Sequence, residues 1–223
     1  MRRRHWIVGI GGLALGRAVS AVVAADTPQL ATADGRWRAE VHDDGRTLAL
    51  RDAEDTVRRR LPAQSLDRTR RGTVSALAEL PQRRSLATGF DGLDELWEVS
   101  LDPAAPPIYD GLVHDYRMGE AIATPGFLAP RRIALAGRVL ALRAGAQAPQ
   151  LLVLLGGEPP ALHLVNLDVR RSLSHVPVPP GADLRAAQWD GEAAAPARLR
   201  VPAGHGNVVM LEVGTTTLRV LAP

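Results

Sequence analysis

Short apolar segments separated by glycine and proline turns limit the fold of this chain more than any other feature. Residues 37–41 and 48–50 flank an Asp44-Gly45 turn, and Asp-Gly supplies the positive φ that a tight hairpin needs. No segment carries a convincing apolar stripe at the helical period with capping residues at its ends. We therefore predict an all-β fold. The other predicted strands are residues 74–80, 86–90, 96–101, 133–143, 151–155, 162–167, 207–213 and 216–221.

The strands recur in an order that favours a β-propeller. A hairpin, a further strand and a loop repeat at about 40 to 50 residues, the length of a four-stranded blade. A sandwich or a barrel would also produce many short, evenly spaced strands. We predict a partial or shortened β-propeller of about three to four blades. An open arc of blades would leave two unpaired sheet edges and an exposed core face, and would invite self-association through the blade edges or pairing with another protein.

The charged residues and the missing cysteine exclude several classes of function. All 27 basic residues are arginine, the formal net charge is only +3, and the arginines are interspersed with acidic residues. A nucleic-acid-binding protein more often gathers its basic residues on one face among stacking aromatic side chains, so we expect no nucleic-acid partner. The chain contains no cysteine. Disulfide bonds, thiolate zinc sites, iron–sulfur clusters and covalently attached c-type haem are therefore excluded.

The first 25 residues have the pattern of a signal peptide. A basic start precedes an apolar segment at residues 6–15, and small residues at 23–25 suit cleavage before Asp26. Because the apolar run is shorter than about 20 residues and Arg17 interrupts it, we expect no membrane attachment after cleavage. We predict export to the periplasm by the Sec route or, given Arg3-Arg4, by the twin-arginine route. The mature chain, residues 26–223, is predicted to be one domain.

A long loop after the strand at residues 96–101 carries the most chemistry. Asp102-Pro103 and Pro106-Pro107 end the strand, because proline donates no ladder hydrogen bond and extends the residue before it. Loops on a rigid sheet are where binding groups concentrate. The acidic members could instead pair with nearby arginines and pin the loop to the sheet. The polar side chains of the loop are His114, Asp115, Tyr116, Arg117 and Glu120.

Two sequence segments resemble a known family. Residues 96–132 read LWEVSLDPAAPPIYDGLVHDYRMGEAIATPGFLAPRR, and residues 165–181 read VNLDVRRSLSHVPVPPG. Both are similar to the haem d1 propeller domain of the cytochrome cd1 nitrite reductase superfamily, and particularly to members other than the reductase, such as d1-haem biosynthesis proteins. The resemblance extends over about residues 84–189. It implies a propeller that binds haem d1.

The loop and the arginines that follow it offer groups that suit such a ligand. His114 is the candidate ligand of the haem iron, because histidine is a natural axial ligand; the alternative is that it hydrogen-bonds within its loop. Arg117, Arg131 and Arg132 would meet the carboxylates of the tetrapyrrole through bidentate pairs, with Asp115, Tyr116 and Glu120 beside them. The remaining histidines show no pair at metal-ligand spacing, and His163 is expected on a strand that faces solvent or a neighbouring blade.

Departures from the family pattern argue against nitrite reduction by this chain alone. Before residue 95 the only histidine of the mature chain is His42, which we place in a hairpin turn. The catalytic acid groups and a covalent electron-entry haem are both missing. We expect a periplasmic protein that binds or hands over d1-type haem in denitrification. The alternatives are a cofactor-free propeller-like interaction module and a residual nitrite reductase-like oxidoreductase.

Overall fold

The computed structural model describes residues 28–109, 123–191 and 196–221. The predicted signal peptide at residues 1–25 and the polar loop side chains from His114 to Glu120 lie outside these ranges. Within the described ranges, no helix is long and apolar enough to cross a membrane. Export, cleavage and the position of the signal peptide therefore stay predictions.

Four antiparallel sheets of four strands follow one another along the chain, and we call them blades 1 to 4. In every blade, strands that are consecutive in the blade are hydrogen-bonded neighbours. Blade 1 contains β1 (Gln29–Ala31), β2 (Trp37–His42), β3 (Thr47–Asp52) and β4 (Val57–Pro62). Blade 2 contains β5 (Thr73–Leu80), β6 (Ser85–Asp91), β7 (Glu95–Ser100) and β10 (Pro130–Ala134). Between β7 and β10 in the chain, β8 (Ile108–Tyr109) and β9 (Ala123–Thr124) form a separate two-stranded ribbon. Blade 3 contains β11 (Val139–Ala144), β12 (Gln150–Leu155), β13 (Ala161–Asn166) and β14 (Arg171–Pro177). Blade 4 contains β15 (Gln188–Asp190), β16 (Ala197–Pro202), β17 (Val208–Val213) and β18 (Leu218–Val220).

This architecture confirms the predicted all-β fold and a partial propeller of four blades. The β2–β3 hairpin turns where Asp-Gly predicted it, with positive φ angles at Asp43, Asp44 and Gly45. The single strand predicted at residues 133–143 is wrong. The chain leaves blade 2 after β10 and turns at Gly137, whose φ is 119°, before β11 starts blade 3. A continuous apolar run hid this boundary, because strands buried on both faces lack polar alternation.

Three hydrophobic cores lie between consecutive blades and hold the arc together. Blades 2 and 3 are covered on both faces, so alternate residues of one strand enter different cores. In β7, Leu96 packs toward blade 3 and Trp97 packs toward blade 1. Large members of the three cores are, in chain order, Leu48, Leu86 and Phe90 between blades 1 and 2; Leu96, Ile133 and Leu151 between blades 2 and 3; and Leu164, Leu199 and Leu211 between blades 3 and 4.

The two end faces of the arc are charged, which corrects the expected exposed core face. Ala39 and Val41 of β2 enter the first core, so Arg38 and Glu40 point away from blade 2. There Glu40 pairs with Arg51 at 2.8 Å. On blade 4, the residues that alternate with the core side chains are Arg198, Arg200, Val208, Met210, Glu212 and Arg219, four of which are charged. In the described chain no hydrophobic core joins blade 4 to blade 1, and polar end faces are what terminal units of a repeat array require. Self-association through the strand edges stays a prediction.

The turn between blades 1 and 2 contains an aspartate whose acidity the fold increases. The Ser65 hydroxyl donates a hydrogen bond to Asp67, the backbone N–H and hydroxyl of Thr69 donate two more, and together they lower the pKa of Asp67 from 3.8 to about 2. Because the folded pKa is depressed, the stabilisation is present above pH 3.8 and is lost as the pH falls through about 2. A carbon-detected NMR titration should therefore give Asp67 a pKa near 2 in the wild type. The pKa should move toward 3.8 in Ser65→Ala, and an unchanged value in that variant would contradict the assignment.

Candidate functional site

A cleft between blades 2 and 3 lies beside the two described limbs of the long loop, residues 102–109 and 123–129, and we call it the loop cleft. Its volume is about 390 Å³. Strands β6 and β7 form its floor, and both limbs of the loop form its rim. The cleft is lined by Arg83, Ser85, Glu98, Ser100, Asp102, Ala104, Ala105, Pro106, Pro107, Ile108, Gly126, Ala129, Arg131 and Arg170.

A buried carboxylate organises the floor of the loop cleft. The side chain of Glu98 is only 6% exposed. Its Oε1 accepts hydrogen bonds from Arg83 Nε at 2.6 Å and from Ser85 Oγ at 3.0 Å. Its Oε2 accepts from Arg83 Nη2 and from Arg131 Nη1, both at 3.2 Å. Because each guanidinium carries five N–H donors, both arginines keep donors beyond those that Glu98 uses.

The same arginines connect blade 2 to blade 3. Arg83 Nη1 lies 2.8 Å from Asp168 Oδ1, and Arg131 Nη2 donates to the Asp168 carbonyl at 3.0 Å. Burial lowers the pKa of Arg83, but hydrogen bonds and charge from Glu98 and Asp168 outweigh burial and raise it. Arg170, two residues beyond Asp168, also lines the cleft. With Arg83, Arg131 and Arg170 against Glu98 and Asp102, the lining of the cleft has a small excess of positive charge. Its floor also links blade 2 to blade 3.

The two limbs of the long loop cross at a glycine. A Cβ atom built on Gly126 would lie 2.0 Å from the carbonyl oxygen of Pro106, so only glycine allows this approach. Beyond the crossing, Ile108 pairs with Thr124, and Tyr109 pairs with Ala123. The residues on either side of segment 110–122 are therefore held together at the rim of the loop cleft.

Gly126→Ala should open this crossing. The added methyl group meets backbone rather than a movable side chain, so we expect a loss of about 1–3 kcal/mol and faster proteolysis between residues 102 and 130. Limited proteolysis with mass spectrometry measures the second effect. Gly204→Ala is the control, because the nearest atom to its built Cβ is 3.6 Å away. Equal cleavage rates in the two variants would contradict the tight crossing.

The structure separates the two arginines that the sequence grouped together. Arg131 faces blade 3 and lines the loop cleft. Arg132 faces blade 1, where its Nη1 lies 2.6 Å from Glu95 Oε2 and its Cζ lies 4.5 Å from the centroid of the Trp97 ring. The roles predicted for His114, Asp115, Tyr116, Arg117 and Glu120 fall outside the described residues and stay predictions.

Sequence reasoning missed Arg83, Ser85, Glu98 and Arg170 as residues of the site. The signal for Glu98 was present, since it is a charged residue between Trp97 and Val99 in an apolar strand. A buried charge needs partners, which would have directed attention to nearby arginines. The contacts of Arg83 and Arg131 with Asp168 of blade 3 could not be predicted without the tertiary fold.

A second cavity of about 740 Å³ lies at the axis of the arc, where the first strands of blades 1 to 3 begin. Arg185, just before β15, reaches it from blade 4 and lies 3.5 Å from the carbonyls of Ser75 and Leu140. Arg138 pairs with Asp91 at 3.2 Å. The other polar side chains include His42, Asp43 and Asp44. With three aspartates against two arginines, this axial cavity suits an anionic ligand less well than the loop cleft does.

The blades define this chain as part of a β-propeller, and solved structures share that arrangement. One is the dihydro-haem d1 dehydrogenase NirN in complex with DHE, with a TM-score of 0.63 and 19% identity over 85% of this chain and 36% of that chain. Another is BamB from Moraxella catarrhalis, with a TM-score of 0.55 and 9% identity over 87% of this chain and 47% of that chain. No protein-family model and no curated protein matches the sequence. At these identities the likeness shows the fold, and the chain spans less than half the length of either structure.

Proposed function

We propose that this chain is a periplasmic propeller-like protein that binds and hands over a d1-type haem, with the acidic edge of the tetrapyrrole in the loop cleft. The observation that carries the proposal is that three arginines, Arg83, Arg131 and Arg170, line one cleft. Tyr109 and Ala123, which flank the segment that contains His114 in the sequence, pair with each other near the rim of this cleft. Support from the fold comes from its likeness to NirN, which was solved in complex with DHE.

The residues of the loop cleft fit the carboxylate edge of such a ligand. A volume of about 390 Å³ lies within the range of ligand sites, and arginine is the side chain best suited to pairing with carboxylates. Glu98 holds Arg83 and Arg131 in place, which lowers the entropy lost when a ligand binds. The lining contains no histidine among the described residues. His114 is the proposed iron ligand, and the other proposed binding residues of the same sequence segment are Asp115, Tyr116, Arg117 and Glu120.

The proposed role is binding and transfer rather than nitrite reduction. A bound d1-type haem would supply the redox chemistry, and the residues of this chain would hold and orient it. Without cysteine, the chain cannot carry the covalent haem through which electrons enter the reductase.

A visible-absorption titration of the purified, tag-free protein with haem d1 tests this function. We expect a saturable spectral shift in the wild type. His114→Ala should change the bound spectrum, and Arg131→Gln should weaken binding about tenfold or more, because a charge-assisted hydrogen bond contributes about 1.5–3 kcal/mol. Arg138→Gln in the axial cavity is the matched control and should bind like the wild type.

The outcomes separate the three functional hypotheses. If the wild type is folded by circular dichroism but shows no saturable shift, the haem proposal fails and a cofactor-free interaction module remains. Turnover of nitrite or of a d1 precursor by the loaded protein would instead indicate a residual oxidoreductase. If Arg138→Gln weakens haem binding and Arg131→Gln does not, the haem binds in the axial cavity and not in the loop cleft.

Periplasmic location is part of this proposal and has its own test. We expect the protein in the periplasmic fraction of a Gram-negative host, with an amino terminus at Asp26. Full-length protein in the cytoplasmic fraction would contradict export.

A further inference from the structure

Two histidines that are twelve residues apart in the sequence stand side by side on blade 3. His163 of β13 and His175 of β14 are direct cross-strand partners. Their ring centroids are 5.0 Å apart, and the ring planes differ by 16°. Directly opposed residues on neighbouring antiparallel strands have Cβ atoms only about 4.5–5.5 Å apart, so the backbone itself fixes this pairing.

The pair lies on a rigid surface of the fold that is open to solvent on one side. His163 alternates with Leu162 and Leu164, which are buried between blades 3 and 4, so its side chain projects from the opposite face, toward blade 2. Its partner across β12 is the buried Val153, whereas His175 on the outer strand is exposed. The rings are therefore accessible from the outer edge of the blade.

A hydroxyl group orients one of the two rings. Ser172 Oγ lies 3.0 Å from His163 Nδ1. When Nδ1–H donates to this hydroxyl, the Nε2 lone pair is available, which is the arrangement that supports histidine as a metal ligand.

We propose that His163 and His175 form a two-imidazole site for a divalent transition-metal ion, with Ser172 as the residue that positions His163. A metal–nitrogen bond is about 2.0–2.1 Å long for zinc, so binding would require the exposed His175 ring to rotate about χ2 and bring a nitrogen to an ion held by Nε2 of the His163 ring, which keeps its hydrogen bond to Ser172. Within the described ranges no group of three potential protein ligands forms, so water molecules complete the coordination shell. Imidazole ligands favour Cu²⁺ over Ni²⁺ and Zn²⁺. This site is independent of the proposed haem cleft.

The experiment is a titration of tag-free protein with CuSO₄, followed by electron paramagnetic resonance at one equivalent. We expect one saturable site per chain, with superhyperfine splitting from two imidazole nitrogens. Both His163→Ala and His175→Ala should abolish this site. Ser172→Ala should weaken it about tenfold or more, because residues that orient a ligand typically contribute that much to metal affinity.

His42→Ala is the matched control, since it removes a partly exposed strand histidine from blade 1 and should leave the signal unchanged. The exposed His175 allows a substitution with little effect on folding, and thermal melts verify that each variant is folded. No saturable binding by the folded wild type overturns the proposal. So does a signal that persists in His175→Ala, because the copper would then be bound elsewhere. ZnCl₂ and NiCl₂ titrations should show weaker binding at the same two residues.

Discussion

Replacing Glu98 with alanine is expected to lower the free energy of unfolding by about 3–5 kcal/mol, the range for removing one partner of a buried ion pair. The Glu98 carboxylate is 6% exposed and receives hydrogen bonds from Arg83, Arg131 and Ser85. Without it, two partly buried guanidinium groups repel each other between blades 2 and 3. Urea denaturation monitored by tryptophan fluorescence measures the loss.

A surface ion pair provides the control for this prediction. Asp94 pairs with Arg70 at 2.7 Å, but its side chain is 61% exposed, so Asp94→Ala should change the free energy of unfolding by no more than about 1 kcal/mol. The loss in the free energy of unfolding for Glu98→Gln should lie between those for Glu98→Ala and Asp94→Ala, because the glutamine amide keeps the side-chain volume and one hydrogen-bond acceptor. A Glu98→Ala variant as stable as Asp94→Ala would show that the network under the loop cleft does not hold the blades together.

Trp97→Ala should be similarly destabilising, at about 3–5 kcal/mol. The Trp97 side chain is almost fully buried between blades 1 and 2, and its ring centroid lies 4.4 Å from that of Phe90. Arg132 covers the ring, and the indole Nε1 donates to Glu95 Oε2 at 2.9 Å. Alanine would leave a cavity and remove one of two donors to the partly buried Glu95 carboxylate, the other being Arg132. The shift of the thermal or urea midpoint measures the effect.

The Trp97→Phe variant separates the contribution of packing to stability from that of the hydrogen bond to Glu95. Phenylalanine keeps much of the volume and the contact with Phe90 but loses the hydrogen bond to Glu95, so we expect a smaller loss than in the alanine variant. Equal losses in the two variants would mean that the hydrogen bond, and not the packing, is the main contribution of Trp97.

The local elements of the fold could be predicted from the sequence because short-range chemistry determines them. Asp44-Gly45 specified the β2–β3 hairpin, and alternation along residues 74–80 specified β5. The boundary between blades 2 and 3 could not be found, because both strands beside Gly137 are rich in apolar residues. β4 was also missed, because its three consecutive arginines, Arg58, Arg59 and Arg60, do not show the alternation of apolar and polar residues by which strands are recognised. Charged residues on an edge strand protect the sheet from pairing with another chain.

The candidate site was predicted only in part. The long loop was located by its prolines, and Arg131 does line the cleft beside it. Strand alternation already implied that Arg132 would point the other way, but the sequence does not say which of the two faces the cleft. The contact of Arg83 with Asp168, 85 residues away, exists only because blades 2 and 3 pack together. The His163–His175 pair likewise depends on the register of β13 and β14.

Hydrogen–deuterium exchange of the tag-free protein, with and without haem d1, tests the proposed haem site most directly. If the haem occupies the loop cleft, amides in residues 98–108 and 123–131 should exchange more slowly in its presence, while residues 42–45, 73–75 and 138–140 around the axial cavity should be unchanged. Slower exchange at the axial cavity with no change at the loop cleft would contradict the account.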